Sequence, residues 1–147
     1  MAHESEQATP RDAVWRLFER RREAYERKDA PALGADYAAD AKIESPFAGV
    51  HDGNAAGAAI QKFFDTFRDL QVQCEPPIID GDRVALQLTF SGTGVGSLMG
   101  LPPSIKPYRF SAVHLYRLRG VQIVEERRIY DSTGLWVQVG VLKAKPT

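Results

Sequence analysis

The sequence predicts an α+β fold, with helices gathered on one face of a curved antiparallel β-sheet that can leave a cavity open at one end. Two observations carry that expectation. Apolar residues recur at helical spacing up to Asp69 and alternate in steps of two after it. The alternating half is also punctuated by turn signals, Asp80-Gly81 and Gly120, which join consecutive strands antiparallel.

Composition bounds the function classes. The chain has 147 residues, 19 basic and 19 acidic side chains, and a 44% hydrophobic share. That length suits one domain, expected over residues 10–147 behind a loose tail of residues 1–9. Zero formal net charge gives no electrostatic case for nucleic acid or a membrane surface as partner. No apolar run approaches the ~18 residues that span a bilayer. The stretch Met1 to Pro10 is polar and lacks the apolar segment of a signal peptide, so a cytoplasmic protein is expected. A single cysteine, Cys74, excludes an internal disulfide and a cysteine-built zinc site. His3, His51 and His114 show no paired metal-ligand spacing, so no metal is expected.

Thr9 can cap a first helix, Pro10 suits its first position, and Asp12 places a favourable charge in its first turn. Val14, Leu17, Phe18 and Tyr25 form its apolar stripe, which Arg21 interrupts. Glu19, Arg20, Arg22, Glu23, Glu26 and Arg27 are mixed in sign and read as a solvated face. Pro31 disfavours helix in the residue before it, which stops this helix near Lys28-Asp29. A short second helix is expected over residues 32–37, a strand over 42–45 and a loop over 46–53. A third helix starts at Gly53 or Asn54, with Ala56, Ile60, Phe63, Phe64 and Phe67 on one stripe.

Beyond Asp69, Leu70, Val72 and Cys74 alternate with polar residues until Pro76-Pro77 breaks or edges the strand. The Asp80-Gly81 turn leads from Ile78-Ile79 into a strand with Val84, Leu86, Leu88 and Phe90 on one face. Gly92, Gly94, Gly96 and Gly100 mark a bend or rim rather than a phosphate cradle. Residues 108–119 and 122–131 form the last hairpin, turning at Gly120. Residues 133–141 make a short apolar end, helix or strand.

There is no GxSxG, P-loop, HExxH or GxGxxG motif. Candidate chemistry concentrates on the last hairpin. His114 shares a strand face with Phe110, Ala112 and Tyr116, either as a satisfied core histidine or as a pocket group. The opposing strand carries Glu125, Glu126, Arg127, Arg128, Tyr130 and Asp131. A two-residue turn at Gly120-Val121 pairs His114 with Arg127 and brings Glu125, Arg127 and Asp131 to its face. A three-residue turn with a bulge pairs it with Arg128 and brings Glu126, Arg128 and Tyr130 there instead. Both registers remain open at the level of sequence. A carboxylate beside a histidine in an apolar cavity is a proton-transfer pair; the plainer alternative is a cross-strand ion pair next to a core histidine. Phe18, Tyr25, Tyr37, Phe47, Phe63, Phe67, Phe110, Tyr130 and Trp136 can line a pocket for a flat or ring-shaped ligand, or simply pack a core.

Several segments together resemble the SnoaL-like polyketide cyclases of the nuclear transport factor 2-like superfamily. They are Gly100-Leu101-Pro102-Pro103 with Lys106, Phe110, Val113-His114-Leu115-Tyr116-Arg117, Ile123-Val124-Glu125-Glu126, Asp131, Gly134-Leu135 and Gln138-Val139-Gly140. The N-terminal half is similar in layout, through Asp29 and Tyr37-Ala38-Ala39-Asp40-Ala41, so the resemblance spans residues 10–141. It implies a cone-shaped barrel with an interior pocket and a homodimer packed through the outer sheet face. It also implies ring closure by intramolecular aldol chemistry on a small apolar, polyketide-like molecule, without metal or cofactor. On this resemblance His114 is the assisting histidine, and Arg128 falls where the family carries its acid–base aspartate. An arginine stays protonated at ordinary pH, so Arg128 is expected to bind an anion or enolate instead. That leaves Glu126, or Asp131 at a second acidic position of the family, as candidate base. The departure at Arg128 also favours an alternative class, a non-catalytic ligand-binding or dimeric interaction module.

Overall fold

The computed structural model describes residues 9–143; residues 1–8 of the expected tail lie outside the described residues. The first helix, α1 (Arg11–Arg27), buries Val14, Leu17, Phe18, Arg21, Ala24 and Tyr25. Pro10, not Thr9, takes the cap position, and no side chain caps this end. Lys28 ends the helix in a left-handed conformation, its N–H turning back to the Ala24 and Tyr25 carbonyls. Arg22 bonds Glu19 and Glu26 on the exposed face, as mixed charges three and four residues apart should.

The second helix, α2 (Ala30–Gly34), starts and ends earlier than expected. Asp29 caps it by accepting from the Ala32 N–H, and Pro31 fits the first turn, where its missing donor costs nothing. Tyr37 therefore belongs to the first strand, β1 (Tyr37–Ser45), which is five residues longer than its alternation suggested. The segment read as a loop contains β2 (Gly49–Asp52), hairpin partner of β1. A single 3-10 turn, Gly53–Ala55, capped by Asp52, then leads into α3 (Ala56–Thr66).

The strands that follow are β3 (Gln71–Cys74), β4 (Ile78–Asp80), β5 (Arg83–Val95), β6 (Ser104–Arg119) and β7 (Gln122–Tyr130), before a last helix, α4 (Ser132–Gln138). The sheet order is β2-β1-β7-β6-β5-β3, with β4 also on β5. All pairs are antiparallel except β1 with β7, so the sheet is mixed rather than antiparallel throughout. The parallel pair arises because β1 precedes α3 in the chain yet docks beside the last strand.

The inward faces follow the period of two. Val84, Leu86, Leu88 and Phe90 of β5, and Phe110, Ala112, His114, Tyr116 and Leu118 of β6, are buried. The glycines of β5 bend the sheet: Gly94 has φ +95°, and the register slips between Thr93 and Val95. In the last hairpin a bulge between Arg117 and Leu118 pairs His114 with Arg128, which selects the second of the two registers. No helix among the described residues is long and apolar enough to cross a membrane.

The helical layer is closed by two glycines. A Cβ on Gly34 would lie 2.7 Å from Gly57 Cα, whereas one on Gly57 would meet nothing closer than 3.9 Å. Gly57→Ala should therefore stabilise the protein by about 0.5–1 kcal/mol through helix propensity. Gly34→Ala should destabilise it by about 1–3 kcal/mol by forcing α2 and α3 apart. Urea unfolding of the two variants beside the parent chain checks the opposite signs.

Candidate active site

The bulged register turns Glu126, Arg128 and Tyr130 of β7 to the face that carries His114. Among the described residues, tyrosines apart, the buried polar side chains are Arg21 at 1% exposure, His114 at 1%, Glu126 at 2% and Arg128 at 7%. Glu126 is their hub. Its Oε1 accepts from the Tyr37 hydroxyl at 2.5 Å and from Arg128 Nη2 at 2.9 Å. Its Oε2 lies 3.3 Å from His114 Nδ1, which is also 3.0 Å from the Tyr116 hydroxyl.

Arg21, which broke the apolar stripe of α1, reaches this network from the other side. Its Nη2 donates to the Tyr37 hydroxyl at 3.1 Å, and its Nη1 to Asp36 Oδ2 at 2.9 Å and the Leu33 carbonyl at 3.0 Å. The guanidinium carbon sits 5.9, 5.2 and 5.6 Å from the ring centres of Tyr25, Tyr37 and Tyr116. Both buried arginines thus reach a carboxylate, Arg128 that of Glu126 and Arg21 that of Asp36, which it shares with the exposed Arg20; such pairing lets charge persist out of water.

The charges set the protonation states. Burial alone would raise the Glu126 pKa, but the Arg128 guanidinium, with Arg21 behind it, outweighs burial and keeps the carboxyl ionised, well below its usual range. His114 is pushed down to about 3 by burial, with Arg128 and Arg21 adding to it against the pull of Glu126, so its ring is neutral. Burial, and then Glu126, raise Tyr37 to about 12, which keeps its hydroxyl proton available for the carboxylate. A carboxylate beside Nδ1 favours the tautomer protonated there and leaves a lone pair on Nε2. Nε2 has no partner among the described residues.

Above this network lies a cavity of about 690 Å³. Phe47, Phe63 and Phe67 give its aromatic lining, with Leu98, Met99 and alanines beside them; Ser45, His51, Lys62, Thr66, Ser97 and Arg128 are its polar residues. A separate void of about 10 Å³, room for one water, is bounded by Tyr25, Ile60, Phe63, Phe90, His114, Arg128 and Tyr130. Phe63 and Arg128 border both spaces, whereas His114 borders the void alone.

Of the residues singled out from sequence, His114, Glu126 and Arg128 are brought together. Phe47, Phe63 and Phe67 line the cavity, while Tyr25 and Tyr130 line the void with Phe63. Four expected lining residues border neither space. Phe18 packs edge-on against Tyr116, Phe110 packs against Phe67 and Phe90, and Trp136 packs against Phe47. Tyr37 serves the hydrogen-bond network instead. Asp131 is exposed and caps α4 by accepting from the Gly134 N–H at 3.0 Å, away from the cluster. Arg21, Tyr116, His51 and Lys62 were not singled out. Arg21 had a signal, a charge at a helical core position, and Tyr116 had its alternation with His114; His51 and Lys62 reach the cavity through tertiary placement alone.

The model of the SnoaL-like polyketide cyclases matches residues 16–139. Among solved structures, TsrD from Streptomyces laurentii is 25% identical with a TM-score of 0.78, the alignment covering 90% of this chain and 98% of that one. IdmH from Streptomyces antibioticus, a candidate polyketide cyclase, is 24% identical with a TM-score of 0.71, covering 86% and 98%. AclR from Streptomyces galilaeus, a candidate hydroxylase, is 22% identical with a TM-score of 0.77, covering 91% and 89%. No functionally curated protein matches in sequence.

The depressed pKa values predict how stability depends on pH. An unfolded chain binds a proton at His114 below about 6.5 and at Glu126 below about 4.5, while the folded chain resists both until lower pH. Unfolding therefore takes up protons in that window, and the folded state loses stability as pH falls from about 7 toward 3. Denaturant titrations at pH 7.5, 6, 5 and 4 should show a steadily falling unfolding free energy. His114→Phe should flatten the portion above pH 5, leaving the weaker slope from His51, whose pKa is also lowered.

Proposed function

The chain belongs to the SnoaL-like polyketide cyclase family, and we propose that it binds a small ring-containing carbonyl compound and acts on it by acid–base chemistry, as a cyclase or isomerase. The observation that carries this reading is the position of Arg128. Its charge is balanced by Glu126, and it borders both the cavity and the void beside His114.

Arg128 donates to the carbonyl oxygen of a ligand seated on Phe47, Phe63 and Phe67. Displacement of Phe63 joins the two spaces and brings the carbon next to that carbonyl to His114 Nε2. Nε2 takes a proton from this carbon, and the electron pair moves onto the carbonyl oxygen as an enolate. The fixed guanidinium stabilises that charge where it develops. The enolate carbon then attacks a second carbonyl of the same molecule, and Nε2 returns its proton to the new alkoxide, so the mass is unchanged. Glu126 stabilises the imidazolium while it exists. The Arg128 charge that depresses His114 in the resting protein is shared with the enolate at that moment, which raises the basicity of the ring when it is needed.

Glu126 is an orienting group here rather than the base, because Tyr37 and Arg128 occupy one oxygen and the carboxyl is held ionised. The same locking of Glu126, together with an arginine at the position where the resemblance places the aspartate, favours a second reading, binding without turnover. A homodimer would bury the exposed Val113, Leu115 and Ile129 on the outer face of β6 and β7.

A thermal-shift screen with polyketide, steroid and terpene-like ketones, followed by mass spectrometry of each stabilising compound, separates the readings. The enzyme reading expects a product isomeric with its substrate, and a loss of about 10²–10⁴ in rate for His114→Gln with binding retained. Stabilisation without conversion of any compound supports binding alone. Conversion that His114→Gln leaves intact contradicts the assigned base.

A further inference from the structure

The cavity wall is charged in one direction only. Arg128, Lys62 and His51 line it, and no aspartate or glutamate is among the described residues that do. Several of its donors lack work inside the protein. Both ring nitrogens of His51 are buried without a hydrogen bond of normal geometry, although the Gly49 backbone lies beside the ring. Arg128 Nε is in the same condition, with Tyr130 beside the guanidinium. Buried polar atoms are nearly always paired in native proteins, and an unpaired one costs more than a made hydrogen bond returns. Burial and Arg128 keep His51 neutral, so its ring brings one N–H donor. Three polar groups at one cavity are thus arranged to meet oxygen acceptors.

We propose that the cavity selects organic acids, with an apolar ring body on Phe47, Phe63 and Phe67 and a carboxylate against Arg128 and His51. This rests on the cavity being the ligand site of the proposed function and names the class of ligand. The charge count favours a carboxylate over a phosphate. Glu126 already balances Arg128, and Lys62, exposed at the edge, is the one further permanent cation among the described residues of the lining, matching a single negative charge. The planar fork of Arg128 suits a carboxylate, and a carbonyl one or two carbons away can share the same donor edge, so recognition and the enolate role are compatible. Lys62 attracts the anion from outside, an effect that salt screens over about 10 Å.

Fluorescence titration with a panel of aromatic acids of two to four fused rings, each beside its own primary carboxamide, tests the inference at pH 7.5 and low salt. The acids should bind at least about tenfold tighter than their amides, the difference a charge-assisted hydrogen bond makes over a neutral one. His51→Leu and Lys62→Ala should each shrink that ratio, and added salt should shrink it further in the parent chain. Arg128→Met should abolish it. That variant can fail to fold because it strands Glu126, so His51→Leu, which stands outside the buried pair, is the deciding variant. Amides that bind as tightly as acids, or a ratio untouched by His51→Leu, overturn the organic-acid inference and leave the ring-binding site in place. Binding of neither series overturns the ring-binding reading and the inference together.

Discussion

A carboxylate and a guanidinium sit together inside an apolar shell, and most of the site is arranged around keeping them there. Glu126 and Arg128 are two residues apart on β7, both inward because a strand alternates. Taking such a pair out of water costs several kcal/mol per ion, and the attraction between them offsets this only when the remaining donors and acceptors are also met. Tyr37 from β1 supplies one hydrogen bond to Glu126 and Arg21 from α1 backs Tyr37, so the pair ties three elements distant in sequence to one point. The parallel docking of β1 on β7 is what brings Tyr37 within reach.

The same network explains why His114 is neutral and oriented. Its Nδ1 is hydrogen-bonded to the Tyr116 hydroxyl and lies 3.3 Å from Glu126 Oε2, its Nε2 is without a partner among the described residues, and the ring borders a void too small for more than a water. The void and the larger cavity share Arg128 and Phe63, so the polar network meets the ligand space at a single guanidinium. Phe63, which borders both spaces, is itself packed tilted or edge-on against Phe67 and Phe90, and Phe67 in turn packs against Phe110.

Much of this was legible in the sequence. Period-two alternation placed His114 on an inward face, and the switch of period at Asp69 separated the helical from the strand half. The bulge after Arg117 was one of two stated options, since hairpin register depends on turn geometry that Gly120 alone does not determine. β2 was hidden because a four-residue, mostly exposed edge strand has no apolar alternation to display. β1 was underestimated because Asp40 and Lys42 are exposed, while two of its four buried positions are small alanines. Asp131 looked catalytic by its place in a motif, but a short polar side chain before a helix is also what a cap requires. Aromatics could be counted but not sorted into wall and core, because alternation gives a face and not a depth.

The central claim is that Glu126 and Arg128 act as one unit. A double-mutant cycle of Glu126→Leu and Arg128→Met, read by urea unfolding, tests it directly. Each single variant strands a buried charge and should cost about 3–5 kcal/mol, while the double variant, with both charges gone, should cost far less than their sum. Costs that simply add would contradict the claim and leave the buried pair as two independent side chains.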